Sequence, residues 1–289
     1  MSALEQQIND FNVPMNDREY REIAVFVHKT AGINLMEGKK DLVRTRLNKR
    51  MRQLAMTDFR TYINHVMRDE TGEEIIFLLD ALSTNLTSFF REPQHFRFMA
   101  DTYLPLLERQ RKTQNSRRLR IWSAACSSGE EPYTIAMVVM EKNPYFAQGG
   151  DFKILATDLS TKVLGMAQQG LYGPERVKDI PPLLVSRYFN KTESGRGEPM
   201  YQIAGALRRL IAFRRLNLME PLPFKNPLDL IFCRNVMIYF DKETISDLVE
   251  KYYRILAPGG YLFIGHSESL SGFKHPFKYV APCIYLKEQ

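Results

Sequence analysis

Cysteine is scarce in this sequence of 289 residues, which has only Cys126, Cys233 and Cys283, far apart along the chain. Disulfide-stabilised domains and zinc sites carry cysteines in even numbers or at short, regular spacings. The scarcity therefore excludes a disulfide framework and a cysteine-based zinc site. It predicts free thiols in a reducing compartment.

Long apolar segments are also missing. No run approaches the roughly 18 apolar residues of a membrane-spanning helix. The first thirteen residues carry acids and amides where a signal peptide would have an apolar core. We therefore expect a cytoplasmic protein with no segment inserted in a membrane.

Two common phosphate-binding motifs are absent from the most suggestive stretch, IWSAACSSGEEPYT at 121–134. Its composition predicts a strand, a loop of small residues and a helix, an arrangement that often binds nucleotides. It lacks the G-x-G-x-x-G pattern and the Lys-Ser/Thr pair of a P-loop. Glu130 and Glu131 would repel a pyrophosphate at the start of the helix. A nucleoside that carries positive charge and no phosphate fits this loop better.

Basic residues are in excess, with a net charge of +7 and a pI of about 9.2. This charge favours an acidic partner, which by composition alone is nucleic acid, an anionic membrane or an acidic protein surface. The length is sufficient for a complete α/β domain and a second, smaller domain.

The first eighty or so residues predict four short helices. Asn16 and Glu19 have the spacing of a capping box, and Gly32 is a suitable stop for the first helix. Apolar residues at helical spacing predict three further helices, over about 39–54, from about 57 and from 73. Together they predict a small helical bundle.

From Arg118 onward the pattern alternates between strand and helix, which indicates a parallel sheet. Between 171 and 207 this alternation breaks and a Gly-rich hairpin between two strand-like runs is predicted. A Pro-Gly-Gly turn is predicted before the fifth strand, and the last strand is predicted to close the edge of the sheet. The six predicted strands are 119–124, 152–158, 209–217, 228–235, 261–265 and about 283–286.

Polar residues follow these strands, and in an open parallel sheet the ligand lies beyond the carboxyl ends of the strands. Asp158 ends the second strand, where an acid often binds ribose hydroxyls. Asn217 and Leu218 follow the third strand and suit an adenine. S-adenosylmethionine has a ribose, an adenine, a sulfonium and an amino group but no phosphate. The alternative is structural, with Asp158 as a helix cap and the Glu pair favouring the helix dipole.

The stretch STNLTSFFRE at 83–92 is predicted to be a linker between the helices and the sheet. Asn85, Thr87 and Arg91 differ by even numbers, so an extended segment would place them on one side. The alternative, which these residues alone favour, is that Asn85 or Thr87 caps the next helix.

Six blocks of the sequence together resemble the CheR family of chemotaxis receptor methyltransferases, which are protein-glutamate O-methyltransferases. They are TNLTSFFRE, IWSAACSSGEEPY, ATDLS, LNL, IFCRNVMIYFD and PGGYLFIGHSES. The resemblance implies an α/β fold: a Rossmann-like S-adenosylmethionine-dependent methyltransferase domain with a small inserted β-subdomain, preceded by an all-α domain. The implied boundaries are 1–82 for the helical domain, 83–95 for a linker that contributes to the cofactor site, and 96–289 for the methyltransferase domain, with the insertion at about 174–207.

The resemblance also implies a cofactor site, with S-adenosylhomocysteine as the product. The implied contacts are Asn85, Thr87, Arg91, Glu131, Asp158, Asn217, Leu218, Arg234 and Asn235. Arg91 and Tyr239 are the candidates for orienting the acceptor carboxylate, which is already ionised at neutral pH and needs no general base. The alternative for Tyr239 is core packing under the fourth strand. No metal is expected.

The implied partner is a chemoreceptor, methylated on glutamates of its cytoplasmic helices. Seven Lys or Arg residues and one acid lie between 39 and 52, a pattern that by itself predicts a solvated helix face. The resemblance implies that Arg46, Lys49 and Arg52 contact acidic receptor helices, which is a salt-sensitive interaction. It further suggests that the β-subdomain binds a receptor C-terminal peptide by strand addition. A monomer is expected.

Three other functions compete with this interpretation. A module that docks on the receptor and binds the nucleoside without chemistry would have the same motifs. A nucleic-acid methyltransferase would suit the positive charge, but it usually has an Asn/Asp-Pro-Pro-aromatic motif where this chain reads CRNVMIY. A dehydrogenase is disfavoured because the glycines that admit a pyrophosphate are missing.

Overall fold

The computed structural model describes residues 12–36, 38–114 and 118–288, so the first eleven residues of the expected helical domain lie outside it. The chain divides into two compact units. The helical unit contains the residues up to Thr84 together with Tyr239–Asp241, and the sheet unit contains Asn85–Ile238 and the residues from Lys242 onward. Within the described ranges, every helix is too short or too polar to cross a membrane.

The described part of the helical unit contains four helices, as predicted. The first has the expected capping box, in which Asn16 and Glu19 each bond the other's backbone N–H, and it stops at Gly32 with a φ of 70°. The helices are α1 Asp17–Ala31, α2 Lys40–Gln53, α3 Phe59–Met67 and α4 Glu73–Leu82.

The core of the helical unit is mainly apolar, and the described part of it also buries two polar residues, Asn48 and Glu74. Val27, Leu47 and Tyr62 are fully buried, and the two aliphatic side chains each contribute about 1.5–3 kcal/mol to the stability of the fold. Glu74 is also buried, and its Oε2 lies 2.6 Å from Nη2 of Arg50. The Tyr62 hydroxyl donates to Oε1 of Glu74 at 3.0 Å. Through these two contacts, the Glu74 carboxylate on α4 is joined to α2 and to α3.

The linker differs from both sequence-based interpretations. Residues 83–92 are irregular, and α5, Pro93–Phe98, begins only after Glu92. The prediction that Asn85 or Thr87 caps this helix is therefore wrong. The backbone around Arg91 is not extended either, because Phe90 and Glu92 have φ angles of 54° and 57°. The even spacing therefore does not place Arg91 on the same side as Asn85 and Thr87. The chain continues through a short π-helix, Met99–Tyr103, into α6, Leu104–Gln114.

Among residues 85–114 and 118–288, ten strands form two sheets. They are β1 Leu119–Ala124, β2 Phe152–Asp158, β3 Leu171–Tyr172, β4 Phe189–Glu193, β5 Pro199–Ile203, β6 Ile211–Arg215, β7 Leu228–Cys233, β8 Leu256–Ile264, β9 Lys278–Ala281 and β10 Ile284–Leu286. The large sheet has the order β6-β2-β1-β7-β8-β10-β9. Its first five strands are parallel, as the strand–helix alternation predicts, and the last two are antiparallel.

Two details of the large sheet were predicted wrongly. The strand expected to close the edge, β10, lies between β8 and β9, so β9 forms the edge. Strand β9 is exposed along most of its length and lacks the apolar alternation that marks a strand. The Pro-Gly-Gly segment lies inside β8, where the pairing with β7 shifts register, and does not form a separate turn before it.

Helices cover the large sheet and complete its core. The remaining ones next to it are α7 Glu130–Lys142, α8 Pro144–Ala147, α9 Thr161–Gln169 and, near the C-terminus, α13 Lys242–Ile255. Trp122 of β1 is fully buried, and its Nε1 donates to Oγ1 of Thr157 at 2.9 Å. Its ring packs against Phe224 and Tyr252, so the only tryptophan of the chain belongs to the core.

The segment between β3 and β5 forms the small sheet, in the order β3-β5-β4. The predicted hairpin is present between β4 and β5, and Gly197 takes a φ of 76° in its turn. Strand β4 forms an edge, and four of its five side chains are exposed. Three short helices accompany these strands: α10 Pro174–Val177, α11 Pro182–Tyr188 and α12 Gly205–Arg208.

Candidate active site

The loop between β1 and α7 is held in an unusual backbone conformation. Ala125 and Ser127 have φ angles of 60° and 50°, although neither is glycine. Gly129 has a φ of 96°, and a Cβ at this position would lie 2.8 Å from Cβ of Ala167. Such backbone strain persists only where the surroundings impose it, and it is concentrated at functional sites.

Asp158 supports this loop from the end of β2. Its Oδ2 accepts from the backbone N–H of Ser127 at 2.8 Å, and its Oδ1 accepts from that of Ser160 at 2.9 Å. Ser160 is the N-cap of α9. Asp158 therefore fixes the ends of two strands relative to each other, and its contact with a ribose stays a prediction.

The two glutamates at the start of α7 have different partners. Glu130 is fully buried, accepts from the Ser128 hydroxyl at 2.8 Å and forms an ion pair with Arg176. Oε1 of Glu131 accepts from the Ser123 hydroxyl at 2.6 Å, and its Oε2 lies 3.0 Å from Nη1 of Arg234. The charge of Glu130 is therefore compensated inside the fold, and only Glu131 extends to the end of β7.

Arg234, which follows β7, connects the linker to the sheet. Nε and Nη2 donate to Oε2 of Glu92 at 3.2 and 2.9 Å, and Nη2 donates to the carbonyl of Arg91 at 2.5 Å. With the bond from Nη1 to Glu131, four of its five N–H donors are used. The side chain is only 2 % exposed. Any contact between Arg234 and the cofactor therefore depends on one remaining N–H or on the backbone.

Two carboxylates that were not predicted, Glu92 and Glu268, surround Asn235. Burial raises the pKa of Glu92, but the Arg234 charge and hydrogen bonds from His266 and Asn235 outweigh it, so the pKa lies below its usual value. Burial also raises the pKa of Glu268, and there it prevails over the backbone N–H groups that the carboxylate accepts. Both residues stand inside blocks that resemble the CheR family. The family motifs therefore contained both glutamates, but their positions in the sequence did not indicate what they do.

The other implied cofactor residues of the linker and third strand belong to the same unit. The carbonyl of Asn85 accepts from the Ser127 hydroxyl at 2.9 Å, which ties the linker to the strained loop. The backbone N–H of Leu216 donates to the carbonyl of Asp158 at 3.1 Å, just before the buried Asn217 and Leu218. Thr87 is half-buried, between Asn85 and the turn at 89–92. How each of them contacts the cofactor stays a prediction.

One group of side chains resembles a metal site. Ligand atoms of Glu92, His95 and His266 lie within 4.8 Å of one another, although the five histidines show no metal-binding spacing in the sequence. The guanidinium of Arg234 lies 2.9 Å from a carboxylate oxygen of Glu92 and would repel a divalent cation. Burial, with the charge of Arg234, lowers the pKa of His95 to about 3. The cluster therefore favours a neutral imidazole beside an ion pair.

Comparisons with known proteins identify one family. Residues 85–285 match the family model described as "CheR methyltransferase, SAM binding domain", and residues 18–83 match "CheR methyltransferase, all-alpha domain". The chemotaxis protein methyltransferase of Borreliella burgdorferi is 40 % identical over 282 residues, which cover 96 % of this chain and 98 % of that protein. Chemotaxis protein methyltransferase 2 of Pseudomonas aeruginosa is 40 % identical and covers 92 % of each chain. The Escherichia coli chemotaxis protein methyltransferase is 36 % identical, over 94 % of this chain and 91 % of its own.

The chain belongs to the CheR methyltransferase family. This membership confirms the resemblance, the fold class and the cofactor that the sequence predicted. The CheR chain is an S-adenosylmethionine-dependent methyltransferase of chemotaxis, and this activity prevails over a docking module without chemistry.

The charges at the strand ends suit this cofactor. Four acidic side chains lie around these strand ends, Glu92, Glu131, Asp158 and Glu268, and the guanidinium of Arg234 is ion-paired with the first two of them. An excess of carboxylates favours a ligand with a sulfonium and an ammonium group and disfavours a pyrophosphate. The CheR site therefore fits S-adenosylmethionine, whose ribose and adenine are predicted to contact Asp158 and Asn217.

Other residues implied for the acceptor and the receptor lie in the helical unit. Tyr239 is half-buried, and its carbonyl accepts from the backbone N–H of Asn34 at 2.8 Å. Arg46 is partly used within the fold, since its Nη1 donates to the carbonyls of residues 81–83 at the end of α4. Lys49 and Arg52 are exposed on α2. Their roles in this CheR chain stay predictions.

Proposed function

We propose that the chain transfers the methyl group of S-adenosylmethionine to glutamate side chains on the cytoplasmic helices of chemoreceptors. The products are glutamyl methyl esters and S-adenosylhomocysteine. The chain acts in the cytoplasm, where these receptor helices lie. The proposal narrows the methyltransferase activity to one acceptor, the carboxylate.

The supporting observation is the difference between two arginines that meet at the end of β7. Arg234 is buried and bonded to Glu92, Glu131 and the carbonyl of Arg91. Arg91 is half-buried, and its side chain makes one hydrogen bond among the described residues, from Nη1 to the carbonyl of Leu86 at 2.7 Å. A guanidinium with unused donors beside a mainly acidic site suits an incoming carboxylate.

The cofactor, when bound, supplies an electrophilic methyl group. The chain contributes orientation, because Arg234 fixes the backbone of Arg91 and so directs the side chain that would hold the acceptor. A well-oriented nucleophile can account for about 7–11 kcal/mol of a reaction barrier. An ionised carboxylate needs no proton removed, so the proposed chemistry requires no histidine–serine pair or reactive cysteine.

We propose that α2 docks on acidic receptor helices through Lys49 and Arg52. Both side chains are exposed, whereas Arg46 already caps the carbonyl end of α4 and would contribute with its remaining donors. Exposed charges of this kind mainly increase the rate of association and are screened by salt.

We also propose that β4, the exposed edge of the small sheet, accepts a receptor C-terminal peptide as an added strand. Calorimetry with that peptide tests this, and an absence of heat at millimolar peptide would exclude it. The proposed active form is a monomer, and a dimeric mass by light scattering would contradict this.

Methyl-labelled S-adenosylmethionine tests the main proposal. The chain is incubated with chemoreceptor-containing membranes, the protein fraction is treated with mild base, and volatile methanol is counted. Glutamyl esters release methanol, whereas methylated amines and nucleobases do not. We expect base-labile counts that require the enzyme. Label that is incorporated but stable to base would overturn the carboxylate acceptor.

A pair of arginine variants tests the role of Arg91 in the same assay. Arg91→Ala should lower the rate at saturating receptor about tenfold to a hundredfold, the range for a lost charge-assisted hydrogen bond. Arg97→Ala removes an exposed arginine from α5 and should leave the rate unchanged. Equal rates for both variants would contradict the proposed role.

A further inference from the structure

Asn235 has a backbone conformation that needs support from its surroundings. Its φ is 60°, in the left-handed region that asparagine tolerates better than most residues but that is still uncommon. It stands directly after Arg234, where the chain leaves β7 and turns into the short 3-10 helix Met237–Tyr239. A side chain that serves the cofactor from this turn requires a fixed backbone.

Glu268 provides that support from the turn that follows β8. One of its carboxylate oxygens, Oε2, accepts from the backbone N–H groups of Asn235 at 3.0 Å and Gly265 at 2.5 Å, and Oε1 accepts from Met237 at 2.7 Å. The backbone N–H of Ile238 also bonds this carboxylate. Glu268 is 8 % exposed and forms no ion pair in the part of the chain that the structure describes. The carboxylate is thus held only by backbone donors.

Gly265 brings this turn into direct contact with Asn235. A Cβ on Gly265 would lie 2.5 Å from Nδ2 and 2.8 Å from the backbone N of Asn235, and 2.9 Å from Oε2 of Glu268. These separations are too short for any side chain. The turn and the asparagine are therefore packed without spare space.

Glu92 fixes the side chain of the same residue. Its Oε1 lies 3.2 Å from Nδ2 of Asn235. A carboxylate that is ion-paired with Arg234 only accepts hydrogen bonds, so the amide nitrogen must face Glu92. The amide oxygen of Asn235 is consequently directed away from Glu92, where it can accept a hydrogen bond from an ammonium group.

We propose that Glu92 and Glu268 are positioning residues that hold Asn235, by its side chain and its backbone respectively, for contact with the cofactor amino group. The proposal rests on the methyltransferase activity and does not require glutamate as the acceptor. Neither carboxylate contacts the reacting atoms. Each acts through Asn235.

Glu268 offers the cleaner test of the two. Glu92 also pairs with Arg234, so a substitution there disturbs the linker as well as Asn235. Glu268→Gln keeps the shape but leaves one acceptor oxygen and places an NH2 group against backbone donors. Gly265→Ala displaces Asn235 and leaves every charge in place. Glu74→Gln, the same change at a buried glutamate of the helical unit, is the matched control.

The first measurement is calorimetric titration with S-adenosylhomocysteine well below each variant's melting temperature. We expect Glu268→Gln, Gly265→Ala and the reference variant Asn235→Ala each to weaken binding about tenfold to a hundredfold. Glu74→Gln should bind like the original chain. The KM for receptor should stay unchanged in all of them.

A double-mutant cycle decides the outcome. If Glu268 acts through Asn235, adding Glu268→Gln to Asn235→Ala should weaken binding by less than a further twofold. The proposal would be overturned if the loss of affinity in the double variant equalled the product of the losses in the two single variants. It would also be overturned if Glu268→Gln bound normally and only melted at a lower temperature. Because binding is measured without an acceptor, this result is independent of whether the methanol assay succeeds.

Discussion

Two buried carboxylates in the two units of this protein are held in opposite ways. Glu74 in the helical unit faces the guanidinium of Arg50 and the hydroxyl of Tyr62. Among the described residues, the carboxylate of Glu268 in the sheet unit accepts hydrogen bonds only from backbone N–H groups, in the turns after β7 and β8. The first carboxylate joins regular helices through side chains, whereas the second shapes irregular backbone. The comparison separates a glutamate that stabilises a fold from one that organises a site.

Backbone conformation follows the same division. Seven described non-glycine residues have a positive φ, and only one of them, Ala55, lies in the helical unit. Five of the others belong to the linker or follow strands β1 and β7: Phe90, Glu92, Ala125, Ser127 and Asn235. Strain of about 1–3 kcal/mol for each such residue persists where the surroundings enforce it. In the helical unit α1 and α3 have side-chain N-caps, and most of the non-glycine strain is concentrated beside the predicted cofactor site.

The largest effect is expected for Arg234→Met. Removing the guanidinium leaves the carboxylates of Glu92 and Glu131, which are 11 % and 12 % exposed, without compensation, and breaking a largely buried ion pair in this way costs about 3–5 kcal/mol of the free energy of unfolding. Urea denaturation measures this loss. Arg187→Met breaks the exposed pair with Glu141 and should change stability by less than about 1 kcal/mol. Equal stability of the two variants would show that the ion pairs of Arg234 with Glu92 and Glu131 do not stabilise the fold.

A smaller effect is expected for Glu74→Gln in the helical unit. The amide keeps part of the hydrogen bonding but loses the charge that faces Arg50, which should lower stability by about 1.5–3 kcal/mol. Binding of S-adenosylhomocysteine should not change, in contrast to Glu268→Gln. Glu73→Gln, one residue earlier and exposed, should leave stability unaltered. Weakened cofactor binding by Glu74→Gln would remove the distinction between the two carboxylates.

The smallest effect concerns the outer surface of the helical unit. The double variant Lys49→Ala and Arg52→Ala should raise the KM for receptor membranes about fivefold at low salt, since exposed pairs contribute about 0.2–1 kcal/mol each. The turnover number should not change, and the effect should diminish as salt is added. Removing Lys29 and Arg68, two exposed cations elsewhere on this unit, is the control. A rise in KM of the same size there would mean that net charge alone governs docking.

Much of the architecture was predictable because it rests on local patterns. The capping box at Asn16, the stop at Gly32 and the alternation of strands and helices each reflect the chemistry of a few neighbouring residues. The polar residues at the strand ends could be found for the same reason, since parallel strands all end at one edge of a sheet. The family motifs then identified these residues as parts of one methyltransferase site.

The less predictable features depend on contacts between distant segments. Glu92 and Glu268 are separated by 176 positions, and only the fold brings both to Asn235. Positive φ angles at Phe90 and Glu92 interrupt the extended backbone that was expected for the linker. Neither residue is a glycine, so the sequence did not indicate these angles. Strand β9 is exposed and has no apolar pattern, so the true edge of the sheet was missed. In each case tertiary contacts prevail over local propensity.

Trp122 makes the two units distinguishable by spectroscopy. It is the only tryptophan of the chain and is fully buried in β1, whereas the helical unit has none. Its fluorescence therefore reports the unfolding of the sheet unit alone, while far-ultraviolet circular dichroism reports the helices of both. Coincident denaturation curves from the two signals would indicate one cooperative transition, and separate midpoints would give each unit its own stability.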